Sequence, residues 1–212
     1  RINTVDKFVV QTLSMKALLS RLCDINLITV AAFFPSNLVY KRSLKSKTNK
    51  LNSDTCFLYV ASGDPHKNHV NLIYAWSLLA DEGIFPELIL TIDNHKYTKL
   101  CDFIEENTLS NQLNIKNIYN IDSVNELYEK ADALIYPSLT ESFGIPIIEA
   151  RSFNLPVLAS ELDYVRDLID PEESFDPNSP VSISRAVKRS MGHKQHQVDL
   201  TTGVDFINLI CN

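Results

Sequence analysis

Short apolar runs and helical patterns alternate through most of this chain, and that alternation leaves few folds open. Cys56 to Ala61, Glu87 to Ile92 and Ile115 to Ile121 are too short for helices and lie between turn-forming residues, so they read as strands. Between them, Asn68 to Ala80 places His69, Leu72, Ile73, Trp76 and Leu79 on one helical face, and Tyr97 to Asn107 reads as a second helix. Ser123 followed by Glu126 has the form of a capping box for a helix ending at Ala131. Further strands start at Ala133 and Pro156, and a helix runs from Ser179 to Met191. Strands joined by helices of this length pair in parallel. The predicted fold is a doubly wound, Rossmann-like α/β domain over residues 54–193. Such sheets take ligands at the carboxyl ends of their strands, where Lys67, Asn120, Glu141 and Ser160 all fall.

The flanking segments do not share this repeat. Lys7 to Thr12 and Leu27 to Phe34 read as strands around a short helix, with Pro35 ending the second. Tyr40 to Lys50 carries five cations and no acid, which reads as a solvated loop and leaves a weak association with an anionic membrane surface as the minor alternative. A last helix is expected from about Lys194. With 45% hydrophobic residues the 212-residue chain has enough apolar surface for one domain plus an extra segment. A net charge of -6 argues against general nucleic-acid binding, which needs a basic footprint. The chain shows no secretory pattern and no apolar run long enough to span a bilayer, so a soluble piece is expected. Cys23, Cys56, Cys101 and Cys211 lack metal or redox spacing, and three have apolar surroundings. They are expected to be reduced structural thiols of a cytoplasmic protein. His193 and His196 have helical spacing but no third ligand type nearby, so no metal site is expected there.

The chemistry is most legible from Glu141 to Glu149, Glu-Ser-Phe-Gly-Ile-Pro-Ile-Ile-Glu. The run Ala133 to Pro137 suits a buried strand followed by a loop, and Pro146 can occupy the first turn of a helix, where its missing N–H costs nothing. A helix starting near Gly144 puts Glu141 in the loop before it and Glu149 about one turn inside, on the face of Ile145. The two acids then flank unpaired backbone N–H groups, a seat for a phosphate or a sugar oxygen. Glu149 lies among the packing residues Ile145, Ile147, Ile148 and Ala150 and needs donors, which a ribose diol can supply. The plainer reading makes Glu149 a solvated helix residue and Glu141 a helix-capping acid.

This segment resembles the E-x7-E signature of retaining glycosyltransferases of the GT-B fold, the group-1 or family-4 type. The resemblance covers most of residues 54 to 191: Asp122 to Ser138 looks like the helix and strand leading into the motif, and Asn154 to Ser160 like the strand after it, with Asn154 where the family usually has glycine. It implies that Glu149 binds the nucleotide ribose, that Glu141 binds the hydroxyls of the transferred sugar, and that backbone amides of Phe143, Gly144 and Ile145 face the sugar and diphosphate. Asn120 and Ile121 fall at the end of a strand on the nucleotide side. Phe57 to Asn68 matches the family's phosphate-clamp loop, where Lys67 stands for the clamp lysine and Ser62 for the arginine five residues before it. A hydroxyl supplies neither the charge nor the bidentate fork, leaving His66 or a residue outside the chain to compensate.

The resemblance further implies a two-domain enzyme. Residues 1–40 are then the tail of an acceptor-binding N-terminal domain and the crossover, 41–53 a basic linker loop, 54–193 the donor-binding domain, and 194–212 a helix returning to the first domain. The implied activity is transfer of a sugar from a nucleotide diphosphate sugar to a hydroxyl of a glycan, lipid-linked or small-molecule acceptor, with retention and without a metal cofactor. No Asp-x-Asp pair is present to hold one. Lys67 and Glu141 are the catalytic candidates, and localisation is expected in the cytoplasm or at the inner membrane face. Two alternatives stay open: a non-catalytic nucleotide-sugar-binding module, for which Ser62 is the discriminating residue, and a nucleotide-sugar epimerase of the same architecture.

Overall fold

The predicted strands form, in a computed structural model that describes residues 4–33, 54–119, 123–193 and 210. At the start of the chain, β1 (Phe8–Val10) and β2 (Ile28–Val30) pair in parallel around α1 (Leu13–Leu19), inside the expected strands but shorter than them, and Phe34 lies outside the described residues. The buried Thr12 caps α1, its hydroxyl accepting from the Met15 amide at 3.2 Å.

The main domain runs β3 (Cys56–Tyr59), α2 (His69–Asp81), β4 (Glu87–Leu90), α3 (Thr98–Ser110), β5 (Ile115–Asn117), α4 (Asn125–Lys130), β6 (Ala133–Tyr136), α5 (Ile145–Ser152), β7 (Val157–Ser160), α6 (Asp163–Arg166), β8 (Glu173–Phe175) and α7 (Pro180–Ser190). Its six strands lie in the order β5-β4-β3-β6-β7-β8, every neighbouring pair parallel. The chain winds outward from β3 to β5, then crosses back to place β6 on the other side of β3. The switch point between β3 and β6 opens a crevice at their carboxyl ends.

The central strands are apolar on both faces because helices cover both. Phe57, Leu58, Leu88, Leu90, Leu134 and Leu158 have no exposed surface. The predicted apolar face of α2 is buried throughout, and Trp76 packs edge-on against Phe57 while its indole N–H donates to the Pro86 carbonyl at 3.0 Å.

Three expectations need correction. β3 and β4 end two residues before Ala61 and Ile92, because side chains replace the ladder there: the Thr91 hydroxyl accepts from the Ala61 amide at 3.2 Å and Asn117 Oδ1 from the Ile92 amide at 2.8 Å, while β5 ends at Asn117 and Ile121 lies outside the described residues. The capping box does not form. Helix α4 is capped at Val124 without a side-chain bond, and Ser123 contributes only its carbonyl, to the Glu126 amide. Finally, α6 and the edge strand β8 were not anticipated, being too short and, in β8, too polar to show a period. The segments 34–53 and 194–209, with the basic loop, His196 and the returning helix, lie outside the described residues. Among the described residues no helix is long and apolar enough to cross a membrane.

His69, at the start of α2, is 2% exposed, packs against the Tyr59 ring at 4.9 Å and has no hydrogen-bond partner for either ring nitrogen among the described residues. Burial, and then the charge of Lys67, lowers its pKa to about 4. The unfolded chain takes up that proton near pH ~6.5, so the contribution to stability is complete above that value and is lost as pH falls towards about 4. Replacing His69→Leu should remove roughly 3 kcal/mol of acid destabilisation across that window. Urea unfolding of both proteins through the window checks this. Parallel stability curves would show that His69 does not titrate as described.

Candidate functional site

The loops after β3 and β6 meet across the switch point, and buried polar groups fix how they meet. The loop after β3 turns through a short 3-10 segment, Pro65–Lys67, into Asn68, which holds the left-handed conformation at φ 62 and caps α2. Asn tolerates that conformation better than most side chains. Its side-chain amide donates to the carbonyls of Pro137, at 3.0 Å, and Pro177, at 2.7 Å. The Leu139 amide donates to the His66 carbonyl at 2.8 Å. Beneath these loops Tyr59 donates to the Lys67 carbonyl at 2.7 Å and shares a hydrogen bond with the fully buried Ser138 at 2.9 Å. Ser160 and Tyr164 donate to the Ser138 carbonyl at 3.0 and 2.8 Å. Ser160, at the carboxyl end of β7, is thus an interior strut.

Lys67 and Glu141 come together on this base. The amine lies 2.6 Å from Glu141 Oε1, with side-chain exposures of 15% and 11%, and the Tyr136 hydroxyl donates to the same oxygen at 2.9 Å. Burial, followed by the Glu141 charge, pushes the Tyr136 phenol up, which keeps it a donor. Glu141 does not cap α5, since Gly144 is the cap and no side chain bonds to the helix start. Gly144 has φ +99, and a Cβ there would approach Ile147 and Leu168 side-chain carbons at 3.3 Å. Glycine therefore lets the chain turn sharply into the helix.

Within α5, Ile147, Ile148 and Ala150 are buried as expected, but Ile145 is 40% exposed. Glu149 Oε2 accepts a hydrogen bond from Tyr128 at 2.7 Å, and Tyr128 stacks on Phe153 at 5.4 Å. The carboxylate in apolar company therefore has one internal donor and an oxygen, Oε1, with no partner among the described residues. The amides of Phe143, Gly144 and Ile145 likewise make no hydrogen bond to another described residue. They are the orphan donors of the helix start, although the Phe143 side chain is itself buried.

Ser62 is placed differently from Lys67. Its hydroxyl donates to Asp64 Oδ2 at 2.7 Å, and it lines a cavity of about 360 Å³ with Thr91, Asp93, Lys96, Tyr97 and Tyr119 at the carboxyl ends of β3, β4 and β5. Asn120 and Ile121 lie outside the described residues, directly after Tyr119. A second cleft, of about 240 Å³, separates Glu141, Leu139 and Tyr164 from Ser14, Leu18 and Arg21 of the α1 segment. The Ser14 amide donates to Asp167 Oδ2 at 2.8 Å, and its hydroxyl to the same oxygen, which pins α1 beside this cleft. Asn154, where glycine was expected, has φ 59, so Asn meets the left-handed requirement there that glycine would otherwise meet. No cluster of three or more His, Cys, Asp or Glu able to hold a metal ion occurs among the described residues.

Sequence reasoning missed Tyr128, Tyr136 and Ser138. All three stand within the segment from Asp122 to Ser138 that resembles the family, but nothing in their spacing marked which acid or loop each would reach.

A parallel six-stranded sheet in this order, with helices on both faces, has the architecture of one half of the GT-B fold. Residues 41–202 match the family described as Glycosyl transferases group 1, and the chain belongs to that family, as its C-terminal domain. The O-antigen chain mannosyltransferase RfbU of Salmonella typhimurium is 28% identical over 155 residues, covering 72% of this chain and 43% of the relative. The O-antigen chain mannosyltransferase B of Escherichia coli is 28% identical over 137 residues, 63% of this chain and 36% of the relative. The chain thus spans less than half the length of these relatives. Among solved structures, a glycosyltransferase from Rickettsia africae shares the fold with a TM-score of 0.72 at 20% identity, over 88% of this chain and 53% of that one. Anabaena HepE in complex with UDP and glucose does so with a TM-score of 0.69 at 16% identity, over 87% and 53%.

The ion pair makes a direct prediction. A double-mutant cycle of Lys67→Met and Glu141→Gln, read by urea unfolding, should show a coupling of at least ~1 kcal/mol, because each single change leaves a poorly solvated charge without its partner. Additive effects would mean the two side chains do not share a charge interaction.

Proposed function

We propose that this chain is the donor half of a retaining glycosyltransferase that moves a sugar from a nucleotide diphosphate sugar to an acceptor hydroxyl. The observation that carries the reading is the meeting of Lys67, Glu141, the free amides at the start of α5 and Glu149 at the β3/β6 switch point. Each part answers one part of such a donor. Glu149 Oε1 can accept from a ribose hydroxyl while Tyr128 holds Oε2. The amides of Gly144 and Ile145, at the positive end of the helix, meet phosphate oxygens. Glu141 accepts from the sugar hydroxyls. HepE, of the same fold, is known with UDP and glucose, and the mannosyltransferase relatives act on O-antigen chains, which favours a glycan acceptor.

In the proposed reaction the bond between the anomeric carbon and the diphosphate oxygen breaks, its electron pair staying on that oxygen. Lys67 and the amides stabilise the charge where it develops, with no metal cofactor in the scheme. The acceptor oxygen bonds to the carbon from the same face, and its proton passes to the departing phosphate. The acceptor sits in the N-terminal domain, across the cleft from Glu141.

Two outcomes are expected. Glu149→Ala in the full-length protein should weaken nucleoside diphosphate binding by about 1.5–3 kcal/mol by calorimetry, the range for hydrogen bonds to a charged group. Equal affinities would remove Glu149 from the site. Residues 1–212 alone should bind donor without transferring it, since an acceptor must be held about 3–3.5 Å from the anomeric carbon and half a cleft cannot do that. Mass spectrometry of candidate donors and acceptors tests both forms: product from the full-length protein supports the activity, and product from the 212 residues alone would contradict the half-site assignment.

A further inference from the structure

The cavity beside Ser62 contains a cation that the donor site as described does not use. Its wall is tightly constructed. Asp64 accepts from Ser62 at one carboxylate oxygen, 2.7 Å, and from the Tyr97 hydroxyl at the other, 3.0 Å. The Tyr97 ring presses so closely on Gly63 that a Cβ at that position would lie 2.5 Å from Tyr97 Cγ. The ring is therefore fixed, and the Lys96 amine rests over its face, 4.9 Å from the centroid. Tyr97, and behind it Asp64 and Asp93, raise the pKa of that amine. Among the described residues Lys96 is the one Lys or Arg lining this cavity.

Charge balance gives this position a meaning. Lys67 is already matched by Glu141, while Asp93 lines this cavity and Asp64 bonds its Ser62 and Tyr97. Among the described residues of these loops a diphosphate meets more acids (Glu141, Asp64 and Asp93) than cations (Lys67 and Lys96), and Ser62, which shares a loop with Lys67, brings no charge. Lys96 lines the same cavity from the loop after β4, on a flexible four-carbon stem, and the Asp64 oxygens accept from Ser62 and Tyr97. That stem lets the amine exchange its Tyr97 contact for phosphate oxygens.

We propose that Lys96 is the second phosphate-binding cation of the donor site, supplied by the loop after β4 in the same cavity as Ser62 and parked on Tyr97 until a nucleoside diphosphate binds. The inference rests on the nucleotide diphosphate reading above and assigns Lys96 to the phosphates, not to the base or the sugar.

The test is titration calorimetry on the full-length protein with UDP, GDP, ADP, CDP and dTDP, each beside its nucleoside, for wild type, Lys96→Met and Lys96→Arg. For the diphosphate that wild type binds, Lys96→Met should lose about 10-fold in affinity, the scale of one charge-assisted contact, and its affinity should fall less steeply with salt. The nucleoside should bind both proteins equally, and Lys96→Arg should recover most of the loss. Equal affinity of wild type and Lys96→Met for the diphosphate overturns the Lys96 assignment alone. A matching loss for the nucleoside also overturns it, by placing Lys96 against the base. Wild type binding none of the diphosphates overturns the donor reading and Lys96 with it.

Discussion

A single ion pair, Lys67 with Glu141 at 2.6 Å, joins two loops 74 residues apart in sequence, and the rest of the site is arranged around that junction. Neither partner is fully exposed, so the pair forms only because polar groups surround it: Tyr136 donates to Glu141, Tyr59 and Asn68 hold the loop that carries Lys67, and Ser138 ties both loops to the strands below. A bare pair at this depth would lose more in desolvation than it gains in attraction. The reward for this construction is positional. It sets an amine and a carboxylate beside the free amides of α5, in the crevice that the strand order β5-β4-β3-β6-β7-β8 creates.

Most of this frame was legible in the sequence because its signals are local. Apolar runs bounded by turn residues located β3, β4, β5, β6 and β7, and the face of α2 was correct residue by residue because burial follows helical period. Gly144 and Pro146 marked the start of α5 for the same reason, each encoding a backbone demand that few other residues meet. Asn154 obeys that rule in a less familiar form, holding φ 59 where glycine was expected.

What escaped was non-local. Tyr128 reaches Glu149 across 21 residues and Tyr59 reaches Ser138 across 79, distances over which no periodic pattern carries information. The strand ends failed for a related reason: Thr91 and Asn117 divert backbone amides into side-chain bonds, and only the assembled sheet shows which amides they take. The capping box at Ser123 failed because its motif is common and Val124 supplied a helix start without it. Ser62 was legible as a departure, yet its bond to Asp64 and its place in one cavity with Lys96, 34 residues on, were not.

A crystal structure of the full-length protein with the nucleoside diphosphate it binds would test the central claim most directly. The account predicts a ribose hydroxyl on Glu149 Oε1, phosphate oxygens against the Lys67 amine and the amides of Gly144 and Ile145, and Glu141 freed on its crevice side to face the sugar position. A nucleotide seated away from the β3/β6 switch point, with Lys67 still closed on Glu141 and Glu149 bonded to Tyr128 alone, would contradict it.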